Sequence, residues 1–273
     1  MPPSTSLQRN LNGKTVLITG ASSGIGRSTA LEFARTSPDN LKLVLTARRL
    51  DRLHEVKSQI QEEVGDGVKV CIRKLDVSKK EAIDAMFENL DEEFKEVDVL
   101  VNNAGFMSGV ERPPDVPIDV ITSVYATNVM GVIHMTQAIL SIFKKRPEGG
   151  KGDIIMLGSM AGREPYAGGT EIYCSSKGAI RAFTESLRKE LIDTRIRVMT
   201  VDPGQVLTEF NDIRYRFDKD KADAVYAGCD PLTPDDVAEV IVFAAGRREN
   251  VVVADTLLYP SHQASSTHVH RRQ

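Results

Sequence analysis

The sequence predicts an α/β fold: one doubly wound parallel sheet of about seven strands with helices on both faces. Three observations lead there. Short β-branched runs alternate with longer helical patterns along nearly the whole chain. The spacing suits right-handed β-α-β units, whose strands are covered on both sides. Glycine, asparagine, serine and proline turns follow the first, fourth, fifth and sixth strand-like runs, where such sheets bind ligands beyond their carboxyl ends.

Residues 14–19 read as a buried strand, followed by a glycine turn and a helix over 25–35. A second strand at 42–46 leads into a charged amphipathic helix over 51–64. The third strand, 68–75, precedes a helix over 80–94 for which Ser78 is the expected N-cap. Residues 97–101 form the fourth strand and run into Asn102-Asn103-Ala104-Gly105; a helix over 118–143 comes next. Strands at 153–157 and 197–201 flank a long helix that begins near Tyr173. Residues 203–231 carry few periodic apolar positions and scatter Tyr215, Phe217 and Tyr226 among charges, which reads as a substrate lid; a disordered insertion is the bland alternative. A helix over 235–246 and a strand over 252–258 close a single domain spanning 1–273. The polar stretch 260–273 reads as a solvated tail, its His268 and His270 lacking an acidic or cysteine companion for a metal.

The net charge of −3 offers no electrostatic reason for nucleic acid or an anionic membrane as partner. Cys71, Cys174 and Cys229 are far apart and form no C-x-x-C pair, which argues against a disulfide framework or a zinc site and fits a reducing compartment. The start is polar and lacks an apolar signal core, and apolar runs such as 237–245 fall far short of a membrane span, so a cytoplasmic location is expected.

The chemistry centres on Tyr173 and Lys177, four residues apart and so on one face of a helix, one turn from each other. Alone the pair is as good as any surface pair. Its company changes that. Thr19-Gly20-Ala21-Ser22-Ser23-Gly24-Ile25-Gly26 follows a strand and opens a helix. Glycines there let backbone N–H groups approach a pyrophosphate at a helix N-terminus. A tight turn without ligand is the plain alternative. Where an NAD site would place a carboxylate at the end of the second strand, this chain has Arg48 and Arg49. Guanidinium forks suit an adenosine 2′-phosphate, and Ser22 or Ser23 adds a hydroxyl, so NADP(H) is the expected cofactor; solvated charges at a helix start are the alternative. Asp76 and Val77, ending the third strand, are expected against the adenine.

Taken together, T-G-x-x-x-G-x-G at 19–26, Asn-Asn-Ala-Gly at 102–105, Asn128, Ser159, Tyr173-x-x-x-Lys177 and Pro203-Gly204 resemble the short-chain dehydrogenases/reductases, with their Rossmann-type fold, over residues 14–258. Segments 158–163, 203–210 and 268–273 are similar to the NADP-dependent serine/3-hydroxy acid dehydrogenases. The resemblance implies a homotetramer oxidising the 3-hydroxyl of serine, allo-threonine or a related small acid. It also implies that Asn128 holds a water of the proton relay, and that Asn103, Ala104, Gly105, Pro203, Gly204, Val206 and Thr208 border the cofactor. Two departures, one extra residue around 169–171 and Gln205 in place of an apolar residue, bear on the substrate.

The expected general base (acid in reduction) is Tyr173, with Ser159 orienting the reacting oxygen and Lys177 reaching the nicotinamide ribose. Bringing a phenol from about 10 to about 7 needs roughly 4 kcal/mol. A lysine cation about 5 Å away is worth roughly 3 kcal/mol at an effective dielectric near 20, with desolvation opposing it. Arg163 and Arg214 are the candidates to hold a substrate carboxylate; either equally suits a surface or interface charge. Two readings compete: the same chemistry on a neutral ketone, aldehyde or sugar, and a non-catalytic NADP(H) sensor.

Overall fold

The computed structural model describes residues 6–272; the readings of the polar start and of the final tail residue fall, for 1–5 and 273, outside the described residues. Seven strands form one sheet: β1 (Thr15–Thr19), β2 (Leu41–Ala47), β3 (Val68–Lys74), β4 (Val99–Asn102), β5 (Lys151–Leu157), β6 (Arg195–Pro203) and β7 (Asp255–Leu258). Every pairing is parallel and the order is β3-β2-β1-β4-β5-β6-β7. The winding direction reverses between β1 and β4. That crevice is where a doubly wound sheet takes a ligand.

Alternation along the strands builds two cores. Val16 and Ile18 of β1 face the layer of α2 (Gly24–Thr36), α3 (Leu50–Val64) and α10 (Pro234–Ala245), meeting Phe33, Leu53 and Ile241. Leu17, between them, faces α4 (Lys80–Glu88), α6 (Val132–Phe143) and α7 (Glu171–Glu190), whose Ile83, Ile139 and Ile180 belong to the opposite cluster. Each such fully buried aliphatic contributes roughly 1.5–3 kcal/mol relative to exposure. α1 (Ser6–Leu11) buries Leu11 in the first core, where no structure was expected.

α10 starts where its sequence dictates: Thr233 and Asp236 form a reciprocal capping box with Pro234 just inside. α5 (Ile118–Tyr125) continues through a π-helical turn, Ala126–Gly131, into α6. This whole segment, Ile118–Phe143, is long and apolar enough to match a membrane span by length and composition, unlike the shorter runs noted in the sequence. It packs on the sheet through Val132, Met135, Ile139 and Phe143.

Four expectations are corrected. The helix expected over 80–94 stops at Glu88, where the Asn89 side chain donates to Ala85 O, and a separate 3₁₀ turn spans Glu92–Phe94. Ser78 does not cap it; its hydroxyl donates to Asp76 Oδ1 at 2.7 Å. The last strand is shorter than 252–258: its ladder spans Asp255–Leu258, with Ala254 O just ahead of it accepting from both Thr200 N and Arg188 Nη2. Residues 203–231, expected as a lid, contain α8 (Phe210–Arg214) and α9 (Lys219–Ala224), and 260–272 folds back on them: Arg271 donates to Ala227 O, and Arg272 N to Gly228 O at 2.7 Å.

Candidate active site

The turns after β1, β2, β4, β5 and β6 share one rim. On the cofactor side, Gly20 has φ +67° and Gly24 φ +51°, a region that favours glycine. A Cβ on Gly20 would sit 2.9 Å from Ala104 Cα, and one on Gly26 would overlap Asn103 Nδ2 and Gly20 O. Asn103 braces this close approach, donating from Nδ2 to Thr19 O at 2.8 Å and to Gly20 O at 3.1 Å. Thr19 Oγ1 accepts from the backbone N–H groups of Asn103 and Ala104, both at 3.0 Å. The glycine turn is therefore bolted to the Asn-Asn-Ala-Gly turn across the switch point. Arg49 Nη2 donates to Ser23 Oγ at 2.7 Å and reaches Ser22 Oγ at 3.4 Å, with Arg48 exposed beside it. Arg49 also pairs with Glu209 of the lid at 2.9 Å. Val77 is buried against Gly131 of the π-helical turn, and Asp76 accepts from Ser78. A glycine cradle, a guanidinium between two hydroxyls and no acidic side chain ending β2 fit NADP(H).

The residues expected to transfer the proton converge on α7. Cys174, Lys177, Ile180 and Thr184 are its buried stripe, so packing points Lys177 inward and Tyr173, one turn earlier, toward the rim. Lys177 Nζ donates to Leu157 O at 2.8 Å and lies 5.8 Å from the centre of the Tyr173 ring. The Ser159 side chain lies close enough to the Tyr173 phenol to favour its ionised form. Ser159 Oγ also accepts from Ala161 N at 3.1 Å, so the same serine caps its turn. Asn128 is buried in the π-helical turn; its amide donates to Phe106 O at 2.8 Å and Ser176 Oγ at 3.2 Å, and its Oδ1 accepts from Phe106 N. A Cβ on Gly105 would lie 3.3 Å from Asn128 Oδ1 and 3.6 Å from Lys177 Nζ, which ties Gly105, Asn128 and Lys177 to one spot.

Tyr173 keeps a partly exposed edge, yet its phenol lies deep enough that burial pushes its pKa upward, with the Ser159 side chain pulling the other way. Burial also lowers Lys177, to about 8, against the opposing pull of Asp202. The expectation that lysine draws the phenol toward neutrality is thus not met by these side chains alone. Desolvation disfavours the charged form of both groups, and the lysine is already spent on a carbonyl.

The two candidate arginines separate. Arg163, one of the two candidates for a substrate carboxylate, is ion-paired here: its Nε donates to Asp202 Oδ2 at 2.6 Å and its Nη2 to Asp255 Oδ1, which accords with the alternative of a structural charge. Arg214 closes the short α8, four residues after Phe210, whose ring meets the Tyr173 ring edge-on at 5.2 Å. Its Nη2 donates to Gly168 O at 3.3 Å, while its buried Nε has no hydrogen-bond partner among the described residues. Arg214 also lowers the pKa of Tyr166, which burial raises. Tyr166, Phe210 and Asp202 were missed in the sequence. Aromatics close to Ser159 and inside the lid were a weak signal for the first two. Among the lid residues that were expected, Val206 O accepts from Tyr226 Oη at 2.8 Å and Thr208 caps Phe210 N. Thr208 leans over Gly24, and a Cβ there would come within 3.3 Å of its methyl. Pro203-Gly204 approaches Tyr259 and Gln263 of the returning tail, whose Gln263 Oε1 accepts from Gln205 N at 2.9 Å. His262 Nε2 meets Gln205 Oε1 at 3.2 Å, so the tail packs in part beside Pro203–Gln205, while His268 and His270 stay exposed as expected; no metal-binding group occurs among the described residues.

A doubly wound sheet with a glycine cradle and a serine, tyrosine and lysine on its rim defines a nucleotide-dependent oxidoreductase class. The sequence profile of the short chain dehydrogenase family matches residues 14–218, and the chain belongs to that family. It is 51% identical over 263 residues to an NADP-dependent 3-hydroxy acid dehydrogenase of Schizosaccharomyces pombe (strain 972), covering 96% of this chain and 98% of the relative. It is 37% identical over 251 residues to sulfoacetaldehyde reductase 2 of Chromohalobacter salexigens, covering 92% and 96%. Among solved structures it resembles the closed form of serine dehydrogenase complexed with NADP+, with a TM-score of 0.84, 33% identity, and coverage of 95% of this chain and 100% of that one.

Proposed function

We propose that this chain is an NADP-dependent oxidoreductase that moves a hydride between nicotinamide and the 3-hydroxyl or 3-oxo carbon of a small 3-hydroxy acid such as serine or allo-threonine. The observation that carries the acid specificity is Arg214, a half-buried guanidinium whose buried Nε has no partner among the described residues, on the same short helix that lays Phe210 on the Tyr173 ring. A guanidinium so placed offers a fork to a carboxylate near the phenol. The 51% identity to a 3-hydroxy acid dehydrogenase supports it.

Bound NADP+ supplies the hydride acceptor and NADPH the donor. The glycine turn leaves room for its pyrophosphate, and Arg48, Arg49, Ser22 and Ser23 suit its 2′-phosphate. The substrate hydroxyl is held by Ser159 Oγ and passes its proton to Tyr173 Oη; in reduction the phenol returns that proton to the carbonyl oxygen. Lys177 offers its remaining hydrogens to the ribose, and Asn128 keeps the Phe106 backbone fixed beside it. With burial raising the phenol pKa, the protonated form dominates at neutral pH, which suits the reductive direction.

The single catalytic unit, with 203–231 as its lid, is supported by the one continuous sheet. A homotetramer is supported by apolar residues on the outer side of the long α5–α6 segment, where Ile118 is 75% and Met130 45% exposed. Three free cysteines agree with a cytoplasmic, reducing location.

Relatedness to a sulfoacetaldehyde reductase favours one second reading, in which the same arginine holds a sulfonate. A panel of L- and D-serine, allo-threonine, 3-hydroxypropionate, isethionate and neutral alcohols, followed by nicotinamide absorbance with NADP+ and NAD+, decides between them. Turnover with the carboxylates is expected, and Arg214→Gln is expected to raise their KM by about tenfold with little change for neutral alcohols. Activity confined to neutral alcohols sinks the acid assignment.

A further inference from the structure

Asp202, the residue before Pro203 on β6, has no part in the proton and hydride transfers above, yet it is only 2% exposed and packs against Gly158, next to Ser159. Thr200 Oγ1 donates to its Oδ1 at 2.9 Å, Arg163 Nε to its Oδ2 at 2.6 Å, and Arg181 Nη1 to Oδ2 at 3.3 Å. Its Oδ1 also packs on Gly158 so closely that any Cβ there would overlap it. These partners come from the elements that carry the reaction. Gly158 and Arg163 flank Ser159, Arg181 lies one helical turn beyond Lys177 on α7, and Asp202 leads directly into Pro203-Gly204. Asp255 of β7 takes the other ends of both guanidinium groups, Arg181 Nη2 at 3.2 Å, and Glu185 takes Arg181 at 2.9 Å.

A buried ion network of this kind is weak as a source of stability, because desolvation offsets its attraction. What it supplies is geometry, since a carboxylate gripped by two forks from two elements fixes their separation. We propose that Asp202 is a positioning residue for the hydride-transfer reaction, locking the Ser159 turn to the helix of Tyr173 and Lys177. The proposal rests on the oxidoreductase reading and adds to it a residue that touches neither substrate nor cofactor. Asp202 is also the carboxylate that opposes the effect of burial at Lys177.

The test compares wild type with Asp202→Asn, which keeps the shape and removes the charge. Asp202→Asn is expected to lower kcat by about tenfold, with the NADP+ dissociation constant from fluorescence quenching within about twofold of wild type. A second readout needs no substrate: the pH midpoint of the Lys177 ¹³Cε resonance, assigned with Lys177→Arg, falls when the anion is lost. An unmoved midpoint in folded Asp202→Asn protein overturns the proposal. Should that variant fail to fold, Arg181→Gln carries the test with the opposite sign. One cation fewer on Asp202 leaves its charge freer to favour the ammonium, so the midpoint rises while kcat falls, and Arg181→Lys restores both. An Arg181→Gln protein indistinguishable from wild type in midpoint and kcat is equally fatal to it. Absence of turnover on every panel substrate would defeat the functional reading alone, because the resonance midpoint reports on Asp202 independently.

Discussion

The cofactor side and the substrate side of the rim are built on different principles. On the cofactor side, between β1 and β4, recognition is made of backbone: glycines with no room for a Cβ, and an asparagine that ties two turns together across the switch point. On the substrate side, two short lid helices and a returning tail present side chains from distant parts of the chain, held by hydrogen bonds such as Arg271 to Ala227 O and Gln205 N to Gln263 Oε1. The first arrangement is rigid and tolerates little substitution. The second leaves chemistry to a few exchangeable groups, which is how one scaffold serves several substrates.

This contrast yields measurements, the largest effect first. Tyr173→Phe removes the only proton carrier proposed to contact substrate, and kcat is expected to fall by about a thousandfold or more while NADP+ binding survives. If turnover persisted within a factor of ten, the phenol would not be the acid–base group. Arg49→Gln tests the other side. It is expected to weaken NADP+ by about tenfold to a hundredfold in fluorescence titrations, leaving NAD+ binding and the KM for substrate almost unchanged. Equal losses for both nucleotides would show that the arginine serves the fold or the lid, through Glu209, and not the 2′-phosphate. The smallest effect is in the pH profile. Lys177 is protonated below about 8 and neutral above it, and the raised phenol stays protonated there. Carbonyl reduction is therefore expected to decline as pH rises through about 8, measured as kcat for NADPH oxidation across that range. A flat profile would separate the lysine charge from the chemistry.

Expectation and structure agree best where chemistry is local. The glycine turn, Arg48 and Arg49, and Tyr173 with Lys177 each lie within a few residues of one another, so spacing along the chain already specifies their geometry, whatever role each one plays. The arginines show the limit. Arg163 and Arg214 look alike in sequence, but Arg163 is claimed by carboxylates 39 and 92 residues away. The tail had the same fate: His262 and Gln263 meet Gln205 only because the chain returns after β7, at separations of 57 and 58 residues. The break after Glu88 turned on one side-chain-to-backbone bond from Asn89.

By itself the sequence determined the sheet, the glycine cradle and the placing of Tyr173 and Lys177 one helical turn apart, because those depend on periodicity, on glycine's missing Cβ and on the helical repeat. Only the tertiary structure decided which arginine pairs with the buried Asp202, that burial shifts both the phenol and the lysine, and that this carboxylate gathers Arg163 and Arg181 beside Gly158. Partners of a buried charge, and the water it loses, are set by segments brought together in folding.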